Sequence, residues 1–266
     1  MQKPKNILAE LPEPEVIDLQ ALRQSLSDGS VGLVCVLGPT ASGKTRYAVG
    51  LCKELGGEII SADSRQVYRG MDIGTGKDLA EYGDIPYHII DVADPGEGYN
   101  VYRFAEDFRR AYGEIRSRGA VPVLCGGTGL YINAVTSGYD FRSHKPLSAP
   151  SGDSRPLTDI PRTFFIGTLV SREVRNARID ARLDARLQEG MIDEIKGLLD
   201  KGVPAATLIS YGLEYKYVTL YLTGELDYSS MRERLAIAIH QFAKRQMTWF
   251  RGMERSGVVI HWTVVQ

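Results

Sequence analysis

The segment from Gly38 to Thr45, GPTASGKT, constrains this chain more than any other. It follows an apolar run at 32–37 and precedes a helix-like run at 46–55, which is the strand–turn–helix context in which the pattern G-x-x-x-x-G-K-[ST] binds phosphate. Its glycines let backbone N–H groups turn inward, and the helix directs its positive dipole end to the same point. The Thr45 hydroxyl is placed to ligate Mg2+. The residues predicted to hold a di- or triphosphate are Gly38, Pro39, Thr40, Ala41, Ser42, Gly43, Lys44 and Thr45.

The composition restricts the class of protein. With 266 residues, 43% of them hydrophobic, the chain can form one large domain, alone or with a small appendage. The net charge of -1 argues against binding nucleic acid by overall charge, but a local basic stripe stays open. Cys35, Cys52 and Cys125 lack metal-ligand spacing and are expected to be buried, reduced thiols. Neither a membrane-spanning run nor a signal peptide is present, so we expect a cytoplasmic protein without a membrane partner.

Short apolar runs alternate with helix-length segments along most of the chain. The predicted strands are 58–61, 87–90, 121–125, 163–170 and 258–262, and 102–118 is a typical intervening helix. This alternation predicts an α/β fold, a P-loop-containing doubly wound parallel sheet with helices on both faces and a helical C-terminal part. The predicted parts are a helical lead-in at 1–31, the P-loop core at 32–138, a proline-rich connection at 139–161, and the rest of the core with the C-terminal helices at 162–266. Ligands of such folds lie at the carboxyl ends of the strands.

The predicted strand 58–61 runs into Asp63, Ser64, Arg65 and Gln66. Asp63 either faces a ligand from the strand's carboxyl end or caps the next helix, and the residues leave both interpretations open. Strand 121–125 runs into a glycine-rich segment with Thr128. A P-loop ATPase normally has an aspartate linked to Mg2+ at the end of such a strand. This strand has none, and Asp91, which follows the predicted strand 87–90, is a weak substitute. The pattern therefore disfavours motor ATPases and GTPases, and leaves small-molecule kinases and other diphosphate-using enzymes.

Two basic features lie in the C-terminal part. Arg175, Arg178, Arg182 and Arg186 fall on one face of a predicted helix. This row is either a solvated face, balanced by acidic residues such as Asp180 and Asp184, or an arginine row beside the phosphate site. A last helix is predicted from the capping box Ser230-x-x-Glu233 to about Phe250, and residues 244–251 interleave basic and aromatic side chains.

Taken together, four motifs resemble the tRNA dimethylallyltransferases, also called tRNA isopentenyltransferases. They are GPTASGKT at 38–45, SADSRQVYRGMDIGTGK at 61–77, GGTGLY at 126–131 and AKRQMTWF at 243–250. The resemblance covers about 32–138 and 163–251. It implies a prenyltransferase that moves the dimethylallyl group of dimethylallyl diphosphate to N6 of the adenosine just 3′ of the tRNA anticodon, and releases diphosphate.

The resemblance also implies roles for individual residues. Residues 38–45 would hold the isoprenoid's diphosphate with Mg2+, Thr40 would lie near its bridging oxygen, and Asp63 would be the general base at adenine N6. Lys44 and either Arg178 or Arg182 would neutralise the leaving group. The residues implied to contact the RNA substrate are Asp63, Ser64, Arg65, Gln66, Thr128, Lys244, Arg245 and Gln246.

Two departures from the family pattern concern the grip on RNA. The helical insertion that typical members carry is replaced by the short stretch 139–161, and an expected R-x-x-G-Y-R motif reads ISYGLE at 209–214. An adenylate dimethylallyltransferase acting on free AMP, ADP or ATP, and a non-catalytic RNA-binding paralogue, therefore stay open as alternatives. The sequence indicates no protein partner.

Overall fold

The structure is a computed structural model that describes residues 11–137, 139–140, 145–146, 160 and 162–265. Its centre is a six-stranded, fully parallel sheet. The strands are β1 (Leu33–Leu37), β2 (Gly57–Ser61), β3 (Tyr87–His88), β4 (Val121–Gly126), β7 (Thr163–Leu169) and β8 (Ile260–Val264), and a separate antiparallel pair is formed by β5 (Tyr139–Asp140) and β6 (Lys145–Pro146). The order across the sheet is β3-β2-β4-β1-β7-β8.

The helices cover both faces of this sheet. They are α1 (Leu19–Ser27), α2 (Lys44–Leu55), α3 (Val101–Ser117), α4 (Gly129–Thr136), α5 (Arg172–Gln188), α6 (Met191–Asp200), α7 (Ala205–Tyr211), α8 (Leu213–Leu222) and α9 (Tyr228–Arg255), with a 3-10 helix at Leu79–Tyr82. All of the last five helices contribute buried residues to the core on one side of the sheet, α5 through Ile179 and Leu183 and α7 through Leu208. This arrangement confirms the predicted α/β class with a helical C-terminal part.

Alternation along β1 explains why the sheet has a core on each face. Leu33, Cys35 and Leu37 point to one side, where α3, α4 and the C-terminal helices pack, and Val34 and Val36 point to the other, where α1 and α2 pack. Side chains alternate between the faces of a strand, so a strand covered on both faces reads as one continuous apolar run. All three cysteines are buried and unpaired, as predicted.

Several predicted boundaries need correction. Helix α9 begins at Tyr228, not at Ser230, because Asp227 is the N-cap and its Oδ1 accepts a hydrogen bond of 2.7 Å from the Ser230 N–H. The predicted capping box is therefore wrong, since an equally good cap stands three residues earlier. The helix also continues beyond Phe250 to Arg255. In the lead-in, α1 is the helix within the described residues.

Parts of two predicted segments lie outside the described residues. Most of the proline-rich connection at 139–161, and residues 1–10 of the lead-in, lie outside the described residues. Within the described part of the chain, no helix has the length and apolar character needed to cross a membrane.

Candidate active site

A cavity of about 610 Å3 opens where β1, β2 and β4 end. Parallel strands bring their carboxyl ends to one edge of the sheet, so the segments that follow them meet there. The predicted site residues that line the cavity are Thr40, Ala41, Gly43, Lys44, Thr45, Asp63, Ser64, Arg65, Gln66, Thr128, Arg178, Arg182, Arg245 and Gln246. Gly38, Pro39 and Ser42 lie behind this wall, and Lys244 is exposed on α9 outside the lining.

The glycine-rich loop at 38–45 leads into α2 through a glycine in the left-handed region. Gly43 has φ +81°, and it precedes α2 without a side-chain cap, so the first N–H groups of α2 are not taken by a cap. Behind the loop, the buried Ser42 hydroxyl bonds the Thr168 hydroxyl of β7 at 2.6 Å. A Cβ at Gly38 would collide with that Thr168 hydroxyl, which explains the first glycine of the motif.

Gln246 joins the two loops that follow β1 and β4. Its Oε1 accepts a hydrogen bond from the Thr40 N–H at 2.8 Å, and its Nε2 donates to the Gly127 carbonyl at 3.0 Å. The side chain is buried. Its predicted contact with RNA stays a prediction, and both polar atoms of the amide already have partners in the protein.

Asp63 lies in a turn rather than at the start of a helix. Its Oδ1 accepts a bond of 3.0 Å from the Arg65 N–H, and the next helical segment starts at Leu79. The helix-cap interpretation of Asp63 is therefore wrong. The neighbouring Ser64 N–H donates to the Thr128 hydroxyl at 3.1 Å, which ties the segment after β2 to the segment after β4. The half-buried Asp63 carboxylate lines the cavity.

Arg65 is fixed in the cavity wall by three neighbours. Its guanidinium lies 4.0 Å from the Glu214 carboxylate and 5.7 Å from the centroid of the Phe242 ring. Gly212, at φ +145°, leaves room for it, because a Cβ at Gly212 would collide with the guanidinium. Leu213 and Glu214, which stand in place of the expected Y-R pair, both line the cavity. The departure from the family motif therefore lies in the cavity wall itself.

The arginine row divides into two parts. Arg178, Arg182 and Arg186 line the cavity, whereas Arg175 is buried and does not line it. Arg182 Nη2 donates to the Gly76 carbonyl at 3.2 Å. The structure thus favours the phosphate-side interpretation for three members of the row, and Arg175 fits neither interpretation.

The acidic residues expected to balance the row are engaged elsewhere. Asp184 forms a paired contact with Arg232 of α9 at 2.8 and 2.9 Å, and Asp180 lies 3.0 Å from His240 of the same helix. Among the described residues, no carboxylate forms an ion pair with the three cavity-lining arginines of α5, Arg178, Arg182 and Arg186. Glu214 also lines this wall and its charge opposes the lowering of the Arg186 pKa by burial, but the three arginines outnumber it, so the wall is cationic on balance.

Burial makes the cations of the site costly when no anion is bound. It lowers the pKa of Lys44, an effect that Asp63 and Glu81 oppose and Arg182 reinforces. It also lowers the pKa of Arg186, and the charge of Arg182 lowers it further. An anionic ligand would relieve both effects, which is the electrostatic signature of an anion site.

Sequence reasoning missed several lining residues. Asp78, Glu81 and Tyr82 line one side, and Phe242 and Trp249 of α9 line another. The family-specific block at 61–77 ends just before the first group and so gives no signal for it, whereas the basic–aromatic stretch 244–251 contains Trp249. Asp91, considered as a substitute for the missing aspartate, is instead an ion-pair partner of Lys77, at 2.5 Å, and does not line the cavity.

The lining residues are compatible with magnesium held mainly by a ligand. Within the described residues there is no group of three or more His, Cys, Asp or Glu side chains able to hold a metal ion. Mg2+ prefers oxygen ligands and is commonly bound by few protein groups together with substrate phosphates. The Thr45 hydroxyl at the cavity surface fits that donor set.

The sheet order, the glycine-rich loop before α2 and the cationic cavity at the carboxyl edge define an α/β protein with a cavity suited to an anionic ligand. Comparison with known proteins narrows the class. The family model described as IPP transferase matches residues 66–158 and 141–253, and the model described as Isopentenyl transferase matches 31–82. The chain belongs to the tRNA dimethylallyltransferase family, and the resemblance seen in its motifs is confirmed.

Both sequences and solved structures support this membership. The chain is 48% identical to tRNA dimethylallyltransferase 1 of Porphyromonas gingivalis, over 86% of this chain and 93% of the relative, and 48% identical to tRNA dimethylallyltransferase 1 of Geotalea uraniireducens, over 88% and 92%. The full-length tRNA isopentenylpyrophosphate transferase of Bacillus halodurans superposes with a TM-score of 0.75 at 33% identity, over 87% of this chain and 89% of that one. The tRNA isopentenylpyrophosphate transferase of Staphylococcus epidermidis superposes with a TM-score of 0.74 at 29% identity, over 87% of this chain and 92% of that one.

The alignment has a gap on the side of this chain. With the Porphyromonas gingivalis relative it spans 280 positions but takes in 86% of 266 residues, about 229, so about 50 positions have no counterpart here. The two segments matched by the IPP transferase model overlap at residues 141–158, inside the proline-rich connection.

Proposed function

We propose that this protein transfers the dimethylallyl group of dimethylallyl diphosphate to N6 of the adenosine 3′-adjacent to the anticodon of a tRNA, in the cytoplasm, and releases diphosphate. The observation that carries the proposal is that Lys44, the arginines of α5 and the Asp63 carboxylate line the same cavity. One side suits an anionic leaving group, and the other suits removal of a proton.

The cationic wall supplies the first requirement of the reaction. As the allylic C–O bond breaks, negative charge grows on the departing diphosphate, which the loop N–H groups, Lys44 and the arginines of α5 are arranged to stabilise. One such donor is typically worth roughly 3–4 kcal/mol of barrier. Magnesium, held by Thr45 and the diphosphate, would supply further charge stabilisation.

Asp63 supplies the second requirement. The adenine N6 amine is a weak nucleophile because its lone pair is delocalised into the ring, so loss of its proton must accompany attack. A positioned carboxylate accelerates such a step by about 10²–10⁴-fold. Asp63 is kept in place by the Arg65 N–H, which bonds one of its two oxygens. It is the strongest candidate for the general base.

The mouth of the cavity favours a nucleic-acid acceptor. Arg245 lies 5.8 Å from the Phe242 ring, and Trp249 is 37% exposed at the lining. Trp249 packs over Gly129, where a Cβ would collide with its indole. Aromatic faces beside cations suit a base that has left its stack, which costs least from a single-stranded loop. We propose that Lys244 and Arg245 contact phosphates of the anticodon loop.

The missing insertion favours a second candidate, transfer to free adenylate. The two are separated by incubating the protein with Mg2+ and labelled dimethylallyl diphosphate, and offering either unmodified tRNA or AMP, ADP and ATP. Label in tRNA at the adenosine next to the anticodon supports the proposal. Label in the free nucleotides alone would overturn it in favour of the second candidate, and binding of RNA without any transfer would indicate a non-catalytic paralogue.

A further inference from the structure

We propose that Glu194 is a positioning residue for the transfer reaction, acting from outside the cavity on Arg182 and Gln66. Glu194 acts through the glycine turn, residues 72–77. The inference rests on the proposed function, because it assumes that the cavity holds the diphosphate. Glu194 lies in α6 and does not line the cavity.

The Glu194 carboxylate accepts hydrogen bonds from the backbone N–H groups of residues 72–74, the first half of the glycine turn. Glu194 Oε2 accepts from the Asp72 N–H at 2.8 Å and from the Ile73 N–H at 2.7 Å, and Oε1 accepts from the Gly74 N–H at 3.0 Å. The fully buried Tyr215 donates its hydroxyl to Oε1 at 2.6 Å. Successive N–H groups that converge on an anion form a nest, and charge-assisted bonds of this kind are the stronger ones.

The second half of the glycine turn belongs to the cavity. Gly74, Thr75 and Gly76 line it. The Gly76 carbonyl accepts from Gln66 Nε2 and from Arg182 Nη2, each at 3.2 Å. The orientation of the Arg182 guanidinium therefore depends on where this carbonyl lies, and Glu194 fixes the segment that carries it.

A second anchor, which does not involve Glu194, joins the two ends of the glycine turn. The buried Lys77 ammonium bonds the carboxylates of Asp72 and Asp91, at 2.7 and 2.5 Å, and the Tyr68 carbonyl, at 2.7 Å. Loss of Glu194 should therefore shift the turn without unfolding it. This separates a positioning role from a purely structural one.

The test is Glu194→Gln, because an amide group replaces one accepting oxygen with a donor that faces N–H groups. We expect kcat/KM for dimethylallyl diphosphate, with unmodified tRNA, to fall at least tenfold. In an Arg182→Ala background the same substitution should cost less than threefold, since residues that act as a unit are not additive. Asp193→Asn, the exposed neighbouring acid, is the matched control and should change neither value.

Three results would overturn the inference: no loss in Glu194→Gln, an equal loss in the Arg182→Ala background, or an equal loss in Asp193→Asn. Tyr215→Phe, which removes one hydrogen bond to the carboxylate, is the milder variant and should lower kcat/KM in the same direction if Glu194→Gln fails to fold. Titration with inorganic diphosphate repeats the comparison without catalysis. If the wild-type protein binds diphosphate but transfers nothing, the proposed function fails, while weakened binding in Glu194→Gln alone would still support the positioning role.

Discussion

Replacing Asp63 with Asn tests the assignment of the general base. The hydrogen bond that holds Asp63 joins its Oδ1 to the Arg65 N–H at 3.0 Å, and an asparagine Oδ1 can accept the same bond. The turn after β2 should therefore persist. What is lost is the ability to take a proton at this point of the cavity.

The expected loss of rate follows from the size of general-base catalysis. A positioned base contributes about 10²–10⁴-fold, which is roughly 2.7–5.4 kcal/mol of barrier at 1.36 kcal/mol per tenfold. Diphosphate binding should be unchanged or tighter, because a negative charge that interacts with Lys44 is removed.

The assay combines single-turnover transfer from labelled dimethylallyl diphosphate to unmodified tRNA with calorimetric titration of inorganic diphosphate. Asp84→Asn removes an exposed carboxylate outside the cavity lining and is the control. A rate loss below about tenfold would refute Asp63 as the base. A matching loss of diphosphate binding would instead show that Asp63 maintains the structure of the site.

Three further predictions follow from the contacts of the fold. The affinity for inorganic diphosphate should start to decline at a pH below 10.5, because burial lowers the pKa of Lys44 and the side chain loses its charge at a lower pH than a free lysine. In Lys44→Arg the decline should move to higher pH, and calorimetric pH profiles that coincide for the two proteins would contradict this. Glu58→Gln should lower the free energy of unfolding by about 1.5–3 kcal/mol near pH 7. The Arg118 guanidinium holds the pKa of Glu58 below 4.5, so the stabilisation is present above that pH and the deficit should shrink in denaturant titrations as the pH falls below it; a deficit independent of pH would exclude the ion pair as its cause. Gln246→Ala should lower stability by about 1–3 kcal/mol, since it leaves the loops after β1 and β4 without their shared partner, whereas the exposed Gln241→Ala on the same helix should have little effect in urea unfolding.

The position of Asp63 and the start of α9 differ in how well the local sequence predicts them. The alternation of strand and helix predicted a parallel sheet, and Asp63 was expected at the carboxyl end of β2, where the structure has it. Choosing between a cap and a site residue required knowing that the next helical segment starts only at Leu79. The start of α9 was misplaced for a related reason: Asp227 and Ser230 are both good caps, and the packing of the helix decides which one is used.

The role of Gln246 shows what a motif does not reveal. The segment AKRQMTWF marks a functional region, but one α-helical turn contains the buried Gln246, bonded to two loops, and the exposed Lys244 and Arg245. Which side of α9 faces the protein depends on partners more than 100 residues away. The same holds for the arginine row, whose acidic neighbours bond α9 instead.

Features that depend on local chain geometry can be read from the amino-acid sequence. It specified a glycine-rich phosphate loop between a strand and a helix, an α/β sheet, and the family to which the motifs belong. Which side chains share the cavity depends on how distant segments pack together. Three of the four arginines line it, Glu214 lies beside Arg65, and Glu194 accepts hydrogen bonds from the glycine turn. The physical reason is that these contacts join segments far apart in the chain, and their geometry is set by how the helices pack on the sheet rather than by any local propensity.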